Sequence, residues 1–120
     1  MLFIEYSKCS TCQKARKWLE STGNTFHSRH IKEYPPTAGE LRLWYERSGL
    51  PIKRFFNTSG LKYKELGLKD KLPEMSVEEQ LALLVSDRML IKRPLLIGDD
   101  FVLVGFREPE WTAALGIKQS

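Results

Sequence analysis

Leu2-Phe3-Ile4-Glu5-Tyr6-Ser7-Lys8-Cys9-Ser10-Thr11-Cys12-Gln13-Lys14-Ala15-Arg16-Lys17-Trp18-Leu19 is the stretch whose reading decides the fold. Leu2 to Tyr6 reads as a buried strand and Ser7-Lys8 as a short loop. Ala15, Trp18, Leu19 and Thr22 then recur at helical spacing until Gly23 stops them. Thr25 to Ile31 reads as a second strand, so the opening is strand, helix, strand in about thirty residues, the unit from which parallel sheets are built. Both cysteines of the chain fall where the first strand hands over to the first helix.

Pro35-Pro36 breaks the chain after this unit. Thr37 and Glu40 make a capping-box pair ahead of Leu41, Trp44 and Tyr45, with Gly49 and Pro51 as the stop. From Ile52 to Pro73 the apolar residues Phe55, Phe56, Leu61, Tyr63 and Leu66 predict short helices broken at Gly60 and Gly67. A second capping-box pair, Ser76 and Glu79, precedes Leu81, Leu84 and Val85. The period then changes. Arg93 to Ile97 is extended and apolar, Gly98-Asp99-Asp100 turns, and Phe101 to Val104 completes a hairpin. Pro109 suits the first turn of a last helix carrying Trp111, Ala114 and Leu115. The predicted fold class is therefore α/β: a mixed four-stranded sheet in the βαβ-ββα order of thioredoxin and glutaredoxin. A helical insert, at about 37–88, lies between the second and third strands. One domain is expected over residues 1–120.

The 120 residues are 42% hydrophobic and 28% charged, with a net charge of +4. That excess permits an anionic ligand without demanding one. A nucleic-acid binder of this size carries a denser basic stripe, so no direct contact with nucleic acid is expected. Lys14, Arg16 and Lys17, and the Lys62, Lys64, Lys69, Lys71 series, read as solvated faces. No apolar run approaches the length of a membrane span. Met1 to Tyr6 is too short and too lightly charged for a signal peptide, so a cytoplasmic location is expected.

Two cysteines three residues apart do not make a secreted disulfide framework; they point to redox chemistry or a metal. Thiolate is the reactive form of cysteine, and the unpaired N–H groups of a helix's first turn favour an anion. Cys9 stands where that turn begins, and Cys12 lies one turn on along the same face, placed to close a Cys9–Cys12 disulfide. Cys9 is thus the candidate nucleophile and Cys12 the candidate resolving thiol, with Lys8, Lys14 and Arg16 as nearby positive charge. Two buried, inert thiols are the bland alternative. Zinc is another, because Cys9, Cys12, His27 and His30 stand in a Cys2His2 order. Two residues separate the histidines, however, where zinc fingers space three to five, and an odd offset on a strand sends them to opposite faces; no metal ligand is assigned. Arg93 and Arg107 flank the hairpin and are candidate oxyanion ligands, since guanidinium binds tetrahedral anions in a bidentate fork.

Lys8 to Arg16, Phe55 to Gly60, Met89 to Leu95 and Val104-Gly105-Phe106 together resemble the ArsC/Spx family, which joins glutaredoxin-coupled arsenate reductases with the Spx regulators. Within it, the chain resembles the YusI-like and Spx/MgsR-like branch. The resemblance implies that Cys9 is the catalytic cysteine of the reductases and the first cysteine of the Spx redox switch, and that Cys12 is the second Spx cysteine. It also implies that Pro94 is a cis proline beside the active site, and that Arg93 and Arg107 are two of the reductases' three oxyanion-binding arginines. The third falls at Ser59, and the arginine of the reductases' Cys-x-x-x-Arg falls at Gln13. Implied partners are glutaredoxin, with glutathione, or thioredoxin as electron donor, and for an Spx-like protein the RNA polymerase α subunit. No bound cofactor is implied.

Overall fold

The computed structural model describes residues 1–117. Its sheet has four strands in the order β2-β1-β3-β4, with β1 at Leu2–Glu5, β2 at His27–His30, β3 at Leu95–Ile97 and β4 at Val102–Val104. β1 pairs parallel with β2, Leu2 opposite His27 and Glu5 opposite His30, and antiparallel with β3, Leu2 opposite Ile97. β3 and β4 form the expected antiparallel hairpin.

Alternation along the strands divides the core into two layers. Phe3 and Leu96 point to one face, where they pack with Ala15 and Leu19 of helix α1 (Ser10–Ser21) and with Trp111 of helix α6 (Glu108–Ala114). Ile4, Leu95 and Ile97 point to the other face. There they meet helices α2 (Ala38–Ser48) and α5 (Val77–Ser86), together with α3 (Leu61–Glu65), α4 (Leu68–Lys71) and three short 3-10 turns. The result is a helix–sheet–helix sandwich, with all the helices between β2 and β3 gathered on one side. Among the described residues no helix is long and apolar enough to cross a membrane.

Both capping boxes form. Thr37 and Ser76 accept from the backbone N–H groups of Glu40 and Glu79, whose carboxylates accept in return from the cap backbone. Glu40 also receives two bonds from Arg29, at 2.7 and 2.9 Å, which tie the edge strand β2 to the start of α2. That guanidinium, with help from the Thr37 backbone, holds the Glu40 carboxyl down at about 2. A depressed carboxyl contributes stability above its unfolded value and loses it as the pH falls towards the folded one. Glu40→Ala is accordingly expected to cost about 2 kcal/mol at pH 7. The deficit should shrink between pH 4.5 and about 2, as urea midpoints at three pH values would read.

Several boundaries differ from the sequence reading for physical reasons. The strand expected over Thr25–Ile31 shortens to His27–His30 because β1 offers only four residues to pair with. The strand expected from Arg93 begins at Leu95, since Pro94 has no N–H to donate to a ladder. Val85, counted with the apolar face of α5, is exposed.

Candidate active site

α1 starts with a cysteine in the place usually filled by serine or aspartate. Cys9 is the cap residue, in extended backbone conformation, and its Sγ accepts the backbone N–H of Cys12 at 3.3 Å. The Cys9 N–H is held by the Tyr6 carbonyl at 3.0 Å, and the Cys9 carbonyl receives the Gln13 N–H at 3.1 Å, so the loop and the first turn are both fixed. Gln13 braces the same loop from outside, its Nε2–H donating to the Ser7 carbonyl at 3.2 Å. Cys9 is half-buried and Cys12 fully buried, both as free thiols.

Burial pushes the Cys12 thiol up to about 12, and the neighbouring Cys9 pushes the same way through a hydrogen bond and through charge. The Tyr6 backbone and the charge of Arg93 act in the opposite sense and are outweighed. Cys12 should therefore resist alkylation near neutral pH. With Cys12 at about 12, on the order of one molecule in 10⁴–10⁵ carries its thiolate at pH 7.5. Iodoacetamide at that pH is expected to label Cys9 and spare Cys12, as peptide mapping would read. Equal labelling would mean that Cys12 is not shielded as its burial implies.

Arg93 lies with its guanidinium carbon 4.8 Å from the centre of the Tyr6 ring and donates to the Met89 and Ile91 carbonyls at 3.3 and 3.4 Å. Its peptide bond to Pro94 is cis, as the family resemblance implies, and the Pro94 carbonyl accepts the Gly105 N–H at 2.8 Å. Arg107 is exposed, 3.5 Å from Glu110, and lines a cavity of about 400 Å³ bordered by Thr11 of the cysteine motif. Arg93 borders a different cavity, with Asn57, Leu61 and Asp87. The two arginines thus border separate cavities, and of the two only the Arg107 cavity includes a residue of the cysteine motif. Ser59 is exposed, and His27 and His30 are exposed on the edge strand.

One expectation is corrected. Arg16 does not act as free positive charge beside the cysteines. Its guanidinium is paired with Glu5, a carboxylate only 5% exposed at the end of β1, with Nε 3.2 Å from Oε1, and it also donates to Ser28 Oγ at 2.8 Å. The pair locks the strand that leads into the cysteine loop to the helix that leaves it. The sequence reading also missed Lys53, Arg54 and Lys92, which share the Arg107 cavity. Lys92 adjoins Arg93-Pro94 in the chain, but nothing in the spacing links it to Lys53-Arg54 some forty residues earlier.

Residues 4–114 match the model of the ArsC family. YusI of Bacillus subtilis (strain 168), an uncharacterized protein, is 55% identical over 111 residues, covering 92% of this chain and 94% of YusI. The regulatory protein MgsR of the same organism is 29% identical, covering 92% of this chain and 86% of MgsR. The crystal structure of an ArsC family related protein from Bacteroides fragilis superposes with a TM-score of 0.91 at 53% identity, over 93% of this chain and 94% of that one.

Proposed function

Because this chain belongs to the ArsC family, we propose that it is a thiol–disulfide oxidoreductase in which Cys9 is the nucleophile and Cys12 the resolving thiol. The observation that carries the reading is the geometry of the turn. A half-exposed sulfur caps a helix, and a second sulfur is buried one turn behind it. Attack by Cys9 on an oxidised substrate forms a mixed disulfide. That step also removes two of the influences that keep Cys12 protonated, its hydrogen bond with Cys9 and the Cys9 charge. Both changes favour the Cys12 thiolate once Cys9 is engaged, while burial, the largest influence on Cys12, stays in place. Arg93, acting on the Cys12 thiol from the Tyr6 side, favours the thiolate that this second step needs. A glutaredoxin with glutathione, or a thioredoxin, then restores the dithiol.

Arsenate is a poor substrate in this account. By the family resemblance, Ser59 and Gln13 fall where the arsenate reductases carry arginines, and Gln13 is engaged with Ser7. Each missing charge-assisted bond removes about 1.5–3 kcal/mol of binding. The test is NADPH consumption coupled in parallel through glutathione–glutaredoxin and through thioredoxin, with a model disulfide and with arsenate. Turnover of the disulfide, with arsenate far slower, supports the reading, and the active coupling system identifies the donor. Fast arsenate turnover would make the chain an arsenate reductase despite Ser59 and Gln13.

A second reading is favoured by the likeness to MgsR, a regulatory protein. In it, oxidation of Cys9 and Cys12 switches binding to the C-terminal domain of the RNA polymerase α subunit. Retention of this chain on immobilised α-subunit domain in one redox state, without turnover of any disulfide, would replace the first reading by the second.

A further inference from the structure

Lys53 and Arg54, in the 3-10 turn Ile52–Phe55, Lys92, just ahead of the cis proline, and Arg107, at the cap of α6, converge on the cavity of about 400 Å³ beside α1. Four cations from three separate segments meet there, and among the described residues no acidic side chain lines the cavity. Among the described residues neither Lys53, Arg54 nor Lys92 lies within ion-pair distance of a carboxylate; Arg107 alone has one, Glu110, at 3.5 Å. A concave site lined by one sign of charge focuses its field and concentrates counter-ions. Phe56, Val104 and Phe106 give the same cavity an apolar lining, and its volume suits a small molecule rather than a folded partner.

One feature ties the cavity to the cysteines. Thr11 lines it, and Thr11 belongs to the turn that Cys9 caps. Lys92 itself lies close over Gly105, which sits just past the end of β4 and has a φ of +73°; a Cβ added there would meet Lys92 Cε at 3.2 Å. The glycine therefore serves both the backbone turn and the wall of the cavity.

We infer that this cavity binds the anionic groups of the oxidised substrate, so that the protein selects small disulfides carrying two or more carboxylates. The inference rests on the oxidoreductase reading above and adds a substrate class to it. With RS–SR as substrate, the Cys9 thiolate bonds to one sulfur and the S–S bond breaks. The departing RS⁻ takes up a proton as RSH. Cys12, having lost its proton, then bonds to Cys9 and displaces the second RS⁻, which is protonated in turn. One disulfide becomes two thiols, and the Cys9–Cys12 dithiol is oxidised by the same two electrons. The carboxylates of R lie against Lys53, Arg54, Lys92 and Arg107 while the sulfur reaches Cys9.

The test compares kcat/KM for 3,3′-dithiodipropionate (dianionic), bis(2-hydroxyethyl) disulfide (neutral) and cystamine (cationic), in the wild type and in a Lys53→Gln/Arg54→Gln/Lys92→Gln variant. The wild type should prefer the dianion over the neutral probe by about 10- to 100-fold at low salt. The ratio should fall towards one in the variant and at 1 M NaCl. Equal rates for the three probes, or a preference that survives the triple substitution, would overturn the inference. A thioether that cannot react, 3,3′-thiodipropionate, tests the site without the chemistry. NMR shifts at Thr11 and Gly105 should saturate with it in the wild type and not in the variant. Binding without reduction of any probe would leave the site standing and remove the oxidoreductase reading. Reduction of the neutral probe without binding of the thioether would do the reverse.

Discussion

Cys9→Ser is expected to remove disulfide-reducing activity by at least about 10³-fold, because no other exposed sulfur in the chain can begin the reaction. Cys12 is fully buried and its thiol is pushed up to about 12, so it cannot take over the first step. The serine hydroxyl can still cap α1 by accepting the Cys12 N–H, and serine is among the preferred caps. Stability should therefore be kept while activity is lost. Cys12→Ser behaves differently. It leaves the first attack in place and stops the reaction at the mixed disulfide, so a single burst should be seen where the wild type turns over. Coupled NADPH consumption and a thermal melt on the same samples separate the two effects.

Trp111→Ala carries the largest expected loss of stability. Trp111 is fully buried beneath the sheet, packed against Phe3, Trp18 and Phe106 with ring centres 6.3, 6.2 and 5.0 Å away. Its Nε1–H donates to the Gly105 carbonyl at 3.0 Å, and the Gly105 N–H in turn holds the Pro94 carbonyl. Truncation removes the buried ring, leaves a cavity and orphans that carbonyl, for a cost of about 3–5 kcal/mol. A domain of this size has on the order of 5–15 kcal/mol in total, so the midpoint should drop by about 10–20 °C. Trp111→Phe keeps most of the apolar area but not the bond, and should fall about 1–2 kcal/mol short of the wild type. Chemical denaturation of the three proteins checks the order. A Trp111→Ala protein as stable as the wild type would mean that this layer of the core is not built around the indole.

What could be read from the sequence was what depends on near neighbours in the chain. The change from the apolar run Leu2–Tyr6 to helical spacing after Cys12 located the strand–helix junction, and with it the cysteine pair. Thr37/Glu40 and Ser76/Glu79 announced α2 and α5, because a capping box is written within four residues. Gly60 and Gly67 marked the breaks between the short helices. The rest depends on residues that meet only after folding. Arg16 looked like one cation in a solvated group, whereas its partner, Glu5, lies eleven positions earlier on a strand. Lys53, Arg54 and Lys92 are ordinary surface charges until the 3-10 turn and the residues ahead of β3 are brought to one cavity. The extent of β2 was not legible either, since it is limited by the length of β1 rather than by its own residues.

The most direct test of the central claim is the mixed disulfide itself. Each single-cysteine variant, Cys12→Ser and Cys9→Ser, is incubated with excess bis(2-hydroxyethyl) disulfide at pH 7.5, and intact mass and peptide maps are recorded. The account predicts one adduct on Cys9 in the first variant and none on Cys12 in the second, with the wild type going on to an internal Cys9–Cys12 disulfide. An adduct on Cys12 in the Cys9→Ser protein, with Cys9 left unmodified in the Cys12→Ser protein, would contradict it.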